Sequence, residues 1–206
     1  MSEFTKSKVH VDINQDIANM RKEYKANGIP TILDEGLNLL LLTLKIKNPK
    51  KILEIGTATG MSGICMLDAC PNATLVTIEA HEPSYRKAKA NFENHNYTNK
   101  VTCHFGDAGD IIRFLDGKFD FIFLDGPKAR YYDYLPELLR LLAPGGVLFA
   151  DNVLFRGLVE CEKPPHRDNT IVRNLRAFID ILTQDKNFTT SLIDAGDGIL
   201  IAYNNE

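Results

Sequence analysis

Between Lys50 and Ala150 the chain alternates short apolar runs with stretches of helical spacing, and this alternation limits the fold more than any other feature. The runs are Ile52–Ile55, Thr74–Ile78, Val101–Phe105, Phe119–Leu124 and Val147–Ala150. Each is short, continuous and rich in Val, Ile, Leu or Phe, the texture of strands buried on both faces. Helices are expected between them over Ser62–Ala69, Pro83–Asn94, Ala108–Leu115 and Tyr132–Leu142. Strand and helix in turn imply βαβ units and a parallel sheet.

The flanks complete the pattern. Ile13, Ile17, Met20 and Tyr24 repeat at helical spacing until Gly28 and Pro30 interrupt them. Leu37, Leu40, Leu41 and Leu44 mark a second helix from Leu33 to Ile46, ended by Asn48-Pro49. After Asp168 one more helix is expected over Thr170–Leu182. Two closing runs follow, Phe188–Ile193 and Gly198–Tyr203, joined by the turn Asp194–Asp197, a hairpin signal. The expected architecture is therefore α/β: a seven-stranded, mostly parallel sheet with a C-terminal antiparallel hairpin and helices on both faces. A length of 206 residues suits one domain, with a helical cap over 1–48 and a core over 50–206.

Charge and cysteine usage narrow the function. With 24 Lys and Arg against 27 Asp and Glu, a net −3, the chain is not a broad polyanion binder. A nucleic acid would need a local basic patch. Cys65, Cys70, Cys103 and Cys161 form no CxxC pair and no zinc spacing, so free thiols in a reducing compartment are expected. No apolar stretch approaches the ~20 residues a membrane helix needs, and MSEFTKSKVH holds no apolar signal segment. A cytoplasmic location without membrane contact is the expectation.

Ligands of open α/β sheets bind beyond the carboxyl ends of the strands, so the chemistry is sought there. After the first run comes Glu54-Ile-Gly56-Thr57-Ala-Thr-Gly60-Met-Ser62-Gly63, a glycine-bearing turn. It is either a plain tight turn or a loop that brings backbone N–H groups to a ligand. Its spacing departs from G-x-G-x-x-G, with Ala58 in place of the second glycine, which disfavours an NAD-dependent oxidoreductase. Glu79 closes the second run, 19 residues after Gly60. It is a solvated carboxylate or an acceptor for two ribose hydroxyls. Asp107, before Ala108, can cap a helix or meet an adenine amino group, and the two are compatible. Asp125 ends the fourth run; Asp151 and Asn152 end the fifth. They are loop caps or a hard oxygen set suited to Mg²⁺, with no Cys or His nearby to favour zinc. Lys128 follows Asp125 by three residues, as a surface charge or a base.

In their order and spacing, ILEIGTATGMSG, VTIEA, GDA, FIFLDGPKARY and ADNVLFRG resemble the class I S-adenosylmethionine-dependent, metal-dependent O-methyltransferases, which include the catechol and caffeoyl-CoA enzymes. The likeness runs from about Ile32 to Tyr203. It is nearest to the bacterial tRNA 5-hydroxyuridine methyltransferases, through Asp151–Gly157, the basic segment after it and the late Gly196-Asp-Gly198. The resemblance implies a Rossmann-like fold. It places Glu54, Gly56, Thr57, Gly60 and Ser62 around the methionine end of the cofactor, with Ile32 as an N-terminal contact. Glu79 falls to the ribose and Asp107 with Ala108 to the adenine. Asp125, Asp151 and Asn152 match the metal ligands, Asp125 also bordering the cofactor, and Lys128 matches the general base of the catechol enzymes. A homodimer is implied as well. Phe155 stands where plant members carry Trp, and Gly126-Pro127 replaces bulkier residues, both on the acceptor side.

Methyl transfer to oxygen asks for an acceptor that is nearly an oxyanion, and two vicinal oxygens on a cation provide one. Catechols offer two hydroxyls; 5-hydroxyuracil offers its hydroxyl and the adjacent O4. The segment Arg156–Arg176, with Arg156, Lys163, His166, Arg167, Arg173 and Arg176, is either a grip on tRNA phosphates or an ordinary charged face. Pro164-Pro165 marks a loop that could cover the acceptor, and Tyr131, Tyr132 and Phe155 are candidates to stack on a flat ring. The resulting expectation is a Mg²⁺-dependent methyltransferase acting on 5-hydroxyuridine in tRNA, with a small catechol-like phenol as the alternative. A non-catalytic nucleotide-binding module is the rival of another class.

Overall fold

The computed structural model describes residue 3 and residues 7–206. Two helices come first, α1 (Gln15–Ala26) and α2 (Asp34–Lys47). The core then runs β1 (Lys51–Ile55), α3 (Met61–Ala69), β2 (Thr74–Glu79), α4 (Glu82–Asn94), β3 (Val101–Phe105), α5 (Ala108–Ile111) and β4 (Phe119–Leu124). It closes with α6 (Tyr131–Leu141), β5 (Leu142–Asp151), α7 (Asn169–Gln184), β6 (Phe188–Ile193) and β7 (Ile199–Asn204). The expected run of elements is present.

The strands form one sheet in the order β3-β2-β1-β4-β5-β7-β6. Pairing is parallel from β3 to β5, and β7 runs antiparallel between β5 and β6. The order reverses between β1 and β4, which opens a crevice at their carboxyl ends. Alternate residues of each strand point to opposite faces, and both faces are covered. Ile52, Phe121, Phe123 and Phe149 pack with α1, α2 and α3 on one side. Leu53, Ile122, Leu124 and Leu148 pack with α6 and α7 on the other.

Three boundaries differ from expectation. The first helix starts at Gln15, past Ile13 of the expected stripe, because the Asn14 side chain accepts from the Ile17 N–H and caps it there. The segment Ala108–Leu115 is a short α5 followed by a 3₁₀ turn, Ile112–Phe114. The fifth strand is Leu142–Asp151, not Val147–Ala150: Phe119 pairs with Leu142 and Phe121 with Val147, so Ala143–Gly146 bulge out, with Gly145 at φ +67°.

Candidate active site

The turn after β1 is built on close approach. Gly56 has φ +97°, and a Cβ there would lie 2.3 Å from the Asp125 carbonyl oxygen. Only glycine lets the loops after β1 and β4 touch. Two residues on, Ala58 adopts φ +45°, a left-handed conformation that costs a non-glycine residue about 1–2 kcal/mol. Its N–H donates to Glu79 Oε2 at 2.7 Å, while Glu79 Oε1 accepts from the His81 N–H at 2.7 Å. Backbone thus fixes the Glu79 carboxylate and leaves oxygen lone pairs over the crevice. Ala58, a departure from the dinucleotide pattern in sequence, is here the residue that holds Glu79.

A cleft of about 430 Å³ lies over these strand ends. It brings together Ile32, Gly56, Thr57, Ser62, Glu79, Asp107, Ala108, Asp125, Asp151 and Asn152. Asp107 does both things the sequence allowed for the position: it caps α5 by accepting from the Gly109 N–H at 2.8 Å, and it faces the cleft. Three expected residues stand elsewhere. Gly60 caps α3 beneath Ala88 and Phe92, out of the cleft. Lys128 sits beside the cleft, its Nζ 2.6 Å from Asp125 Oδ1. Glu54 is fully buried behind Ser62, since a strand residue one pleat inside the turn cannot reach the cleft directly.

Glu54 accepts hydrogen bonds from the Ser62 and Thr77 hydroxyls, and the Thr77 and Thr57 oxygens lie 2.5 Å apart. Burial pushes its carboxyl up to about 7, against the pull of those hydroxyls and helped by the negative charges of Asp125 and Glu79. With its proton given to Glu54, the Ser62 hydroxyl presents its lone pairs to the cleft. Other wall residues escaped the sequence reading: Pro30, Thr31 and Leu33 from the link between α1 and α2, and Tyr134 from α6. Burial of a tyrosine one turn after Tyr131 was a usable signal for Tyr134. Nothing local points the 30–33 link at strands more than twenty residues away. It is held by Arg21, buried and paired with Asp34 at 2.7 Å, which also donates to the Ile32 carbonyl.

The other half of the cleft holds the acids. Asp151 is 3% exposed and accepts from the Asn152 N–H at 2.8 Å. Burial, then the Asp125 charge, raises its carboxyl to about 7, against the Asn152 N–H and Lys128. The fully buried Tyr131 hydroxyl lies 3.0 Å from both the Leu124 and Asp151 carbonyls, tying the ends of β4 and β5. Among the described residues no group of three His, Cys, Asp or Glu is placed to hold a metal. The available set is two carboxylates and the Asn152 amide. A buried carboxylate sharing a cleft with a second carboxylate is a charge arrangement that a hard divalent cation relieves, and these oxygen donors suit one.

The basic segment divides. Arg176 donates to the Val159 and Cys161 carbonyls at 2.9 and 2.6 Å and so holds its own loop. Arg167 pairs with Asp168 at 3.3 Å. Arg156, Lys163, His166 and Arg173 are exposed. All four cysteines are free, as expected, with Cys65 and Cys70 buried. Among the described residues no helix is long and apolar enough to cross a membrane.

A parallel sheet with one reversed strand, a glycine turn after β1 and an acid closing β2 define a class I methyltransferase. Comparison with known proteins gives the family. The O-methyltransferase family profile matches residues 6–205. A caffeoyl-CoA O-methyltransferase of Populus kitakamiensis is 29% identical over 196 residues, 89% of this chain and 82% of that one. A catechol O-methyltransferase of Niastella koreensis is 37% identical over 140 residues, 64% of this chain and 63% of that one. The solved O-methyltransferase TomG of Streptomyces achromogenes, in complex with S-adenosylmethionine, superposes with TM-score 0.84 at 26% identity, covering 99% of this chain and 96% of that one. The chain belongs to the O-methyltransferase family. It is an S-adenosylmethionine-dependent O-methyltransferase.

Proposed function

We propose that the enzyme methylates an acceptor presenting two adjacent oxygens to a divalent cation at Asp125, Asp151 and Asn152, and that this acceptor is 5-hydroxyuridine in tRNA. The observation that carries the cation is geometric: Asp125, Asp151 and Asn152 line one cleft at adjacent strand ends, with the Asp151 carboxylate 3% exposed. S-adenosylmethionine supplies the electrophilic methyl group. The chemistry Mg²⁺ supplies at this set is chelation of both acceptor oxygens and acidification of the hydroxyl.

The chain's own residues do the rest. Glu79, fixed by two backbone donors, accepts from the ribose hydroxyls. Ala108 and Asp107 border the adenine, and Ile32 closes the cleft from the cap. The Ser62 oxygen, oriented by Glu54, accepts from the cofactor's ammonium group. Lys128 is paired with Asp125 and lies 5.3 Å from the Tyr131 ring centroid. A cation held at Asp125 would compete for the carboxylate that Lys128 pairs with, and Lys128, beside the cleft, is the residue placed to take the acceptor's proton. Holding oxygen and methyl in line supplies the positioning part of the rate.

For tRNA, the supporting feature is the row of exposed Arg156, Lys163, His166 and Arg173 along the chain leaving the acceptor side. The second reading, a small catechol-like acceptor, is favoured by the engagement of Arg176 and Arg167 within the protein and by the names of the catechol and caffeoyl-CoA relatives. The test incubates the enzyme with methyl-labelled S-adenosylmethionine, Mg²⁺ and hypomodified bacterial tRNA, with catechol in parallel. Label on 5-hydroxyuridine that EDTA abolishes is the expected result; label on catechol and none on tRNA selects the second reading.

A further inference from the structure

The late Gly196-Asp197-Gly198 has no part in the cleft, yet it contacts the loop that carries Asn152 and Phe155. That loop holds three non-glycine residues in the left-handed region: Asn152 at φ +56°, Phe155 at +48° and Arg156 at +57°. Each costs about 1–2 kcal/mol, and such conformations persist only where the surroundings over-determine them. Here the surroundings are the β6–β7 turn. The Val153 N–H donates to the Gly198 carbonyl at 2.9 Å and the Leu154 N–H to the Asp197 carbonyl at 3.0 Å. The Arg156 N–H donates to Asp197 Oδ1 at 2.5 Å, the one side-chain contact of the three. Gly198, at φ +84°, lets Leu154 close over the turn: a Cβ there would lie 2.2 Å from Leu154 Cγ.

We propose that Asp197 is a positioning residue for the acceptor side: its carboxylate fixes the strained loop that carries Asn152, and the cofactor side does not depend on it. The proposal rests on reading residues 152–157 as the acceptor side. Asp197 holds the loop through Arg156, four residues past Asn152, so its effect on metal affinity falls at the lower end of the about 10–100-fold typical of a direct partner to a ligand. Asp197→Ala removes the Oδ1 acceptor; Asp197→Asn keeps an oxygen in its place.

The experiment measures three quantities on the full chain for wild type and both variants: amide hydrogen exchange over residues 153–156, Mn²⁺ affinity by electron paramagnetic resonance, and S-adenosylmethionine affinity by calorimetry. In Asp197→Ala we expect exchange about 10-fold faster, Mn²⁺ binding about 10-fold weaker and S-adenosylmethionine affinity within 2-fold of wild type. Asp197→Asn, which keeps the acceptor oxygen but not the charge that also acts on Asp151, should restore exchange and recover Mn²⁺ affinity in part, whereas a merely structural role would move S-adenosylmethionine affinity as well. Unchanged exchange in Asp197→Ala overturns the proposal. So does an equal loss of Mn²⁺ and S-adenosylmethionine affinity, or an Asp197→Asn protein no better than Asp197→Ala. Wild type that binds no Mn²⁺ removes the metal reading alone, and exchange then decides the clamp.

Discussion

The two halves of the cleft are built on opposite principles. On the side of β1, β2 and β3, the acids at the wall and behind it are answered from within: Glu79 by two backbone N–H groups, Asp107 by the α5 N-terminus and, behind Ser62, Glu54 by two hydroxyls. On the side of β4 and β5, two carboxylates line the cleft with one lysine paired to Asp125, and the following loop is strained. A satisfied wall keeps its shape without a ligand, as suits a cofactor that recurs in every turnover. An under-compensated wall holds its electrostatic potential for the reacting end. The contrast teaches where binding and where chemistry should fail separately.

The sharpest break is Asp151→Asn. It keeps the oxygen that meets the Asn152 N–H and removes the charge. Methyl transfer should fall about 1,000-fold, the several kcal/mol a cation contributes to the transition state, with S-adenosylmethionine affinity by calorimetry changed less than about 3-fold. The same variant should raise the melting temperature of the ligand-free protein, because it deletes a buried charge. A variant that lost cofactor affinity in step with activity would end the division into halves.

Gly56→Ala attacks the seam where the halves meet. The added Cβ has no room against the Asp125 carbonyl, so a loss of about 3 kcal/mol is expected in denaturant unfolding, with both binding functions impaired. The pH dependence of stability tests the satisfied half. Below 4.5 Glu54 is protonated folded or unfolded. Between 4.5 and about 7 only the unfolded chain releases the proton, so stability falls as pH rises, and above about 7 the loss is complete. The span corresponds to about 3 kcal/mol, and Glu54→Gln should flatten that limb of the urea midpoint against pH. Smallest is Tyr131→Phe, which removes one buried hydroxyl from the β4–β5 tie. About 1 kcal/mol of stability and a modest weakening of Mn²⁺ binding are expected, with the cofactor half unchanged.

Much of the fold was legible because burial on both faces leaves continuous apolar runs, and the five parallel strands fall where those runs lie. The ends were less so. Asn14 moved a helix start by a side-chain bond that periodicity cannot register, and the Ala143–Gly146 bulge depends on how β5 pairs with β4. At the site, the residues closing strands were legible for a topological reason: the carboxyl ends of parallel strands all open on one side. The structure moved Glu54 and Gly60 behind the wall and added Pro30, Thr31 and Leu33 beside the expected Ile32, on a link held by Arg21.

By itself, then, the sequence determined the alternation of elements, the parallel sheet and the set of strand-end residues, because these follow from local period and from short connections. Only the tertiary structure decided which of those residues share one cleft, that Ala58 holds Glu79, and that Asp197 meets the loop after β5. Those contacts join segments about 20 and about 40 residues apart in the chain. No local pattern encodes a hydrogen bond whose two ends meet only after the sheet has closed.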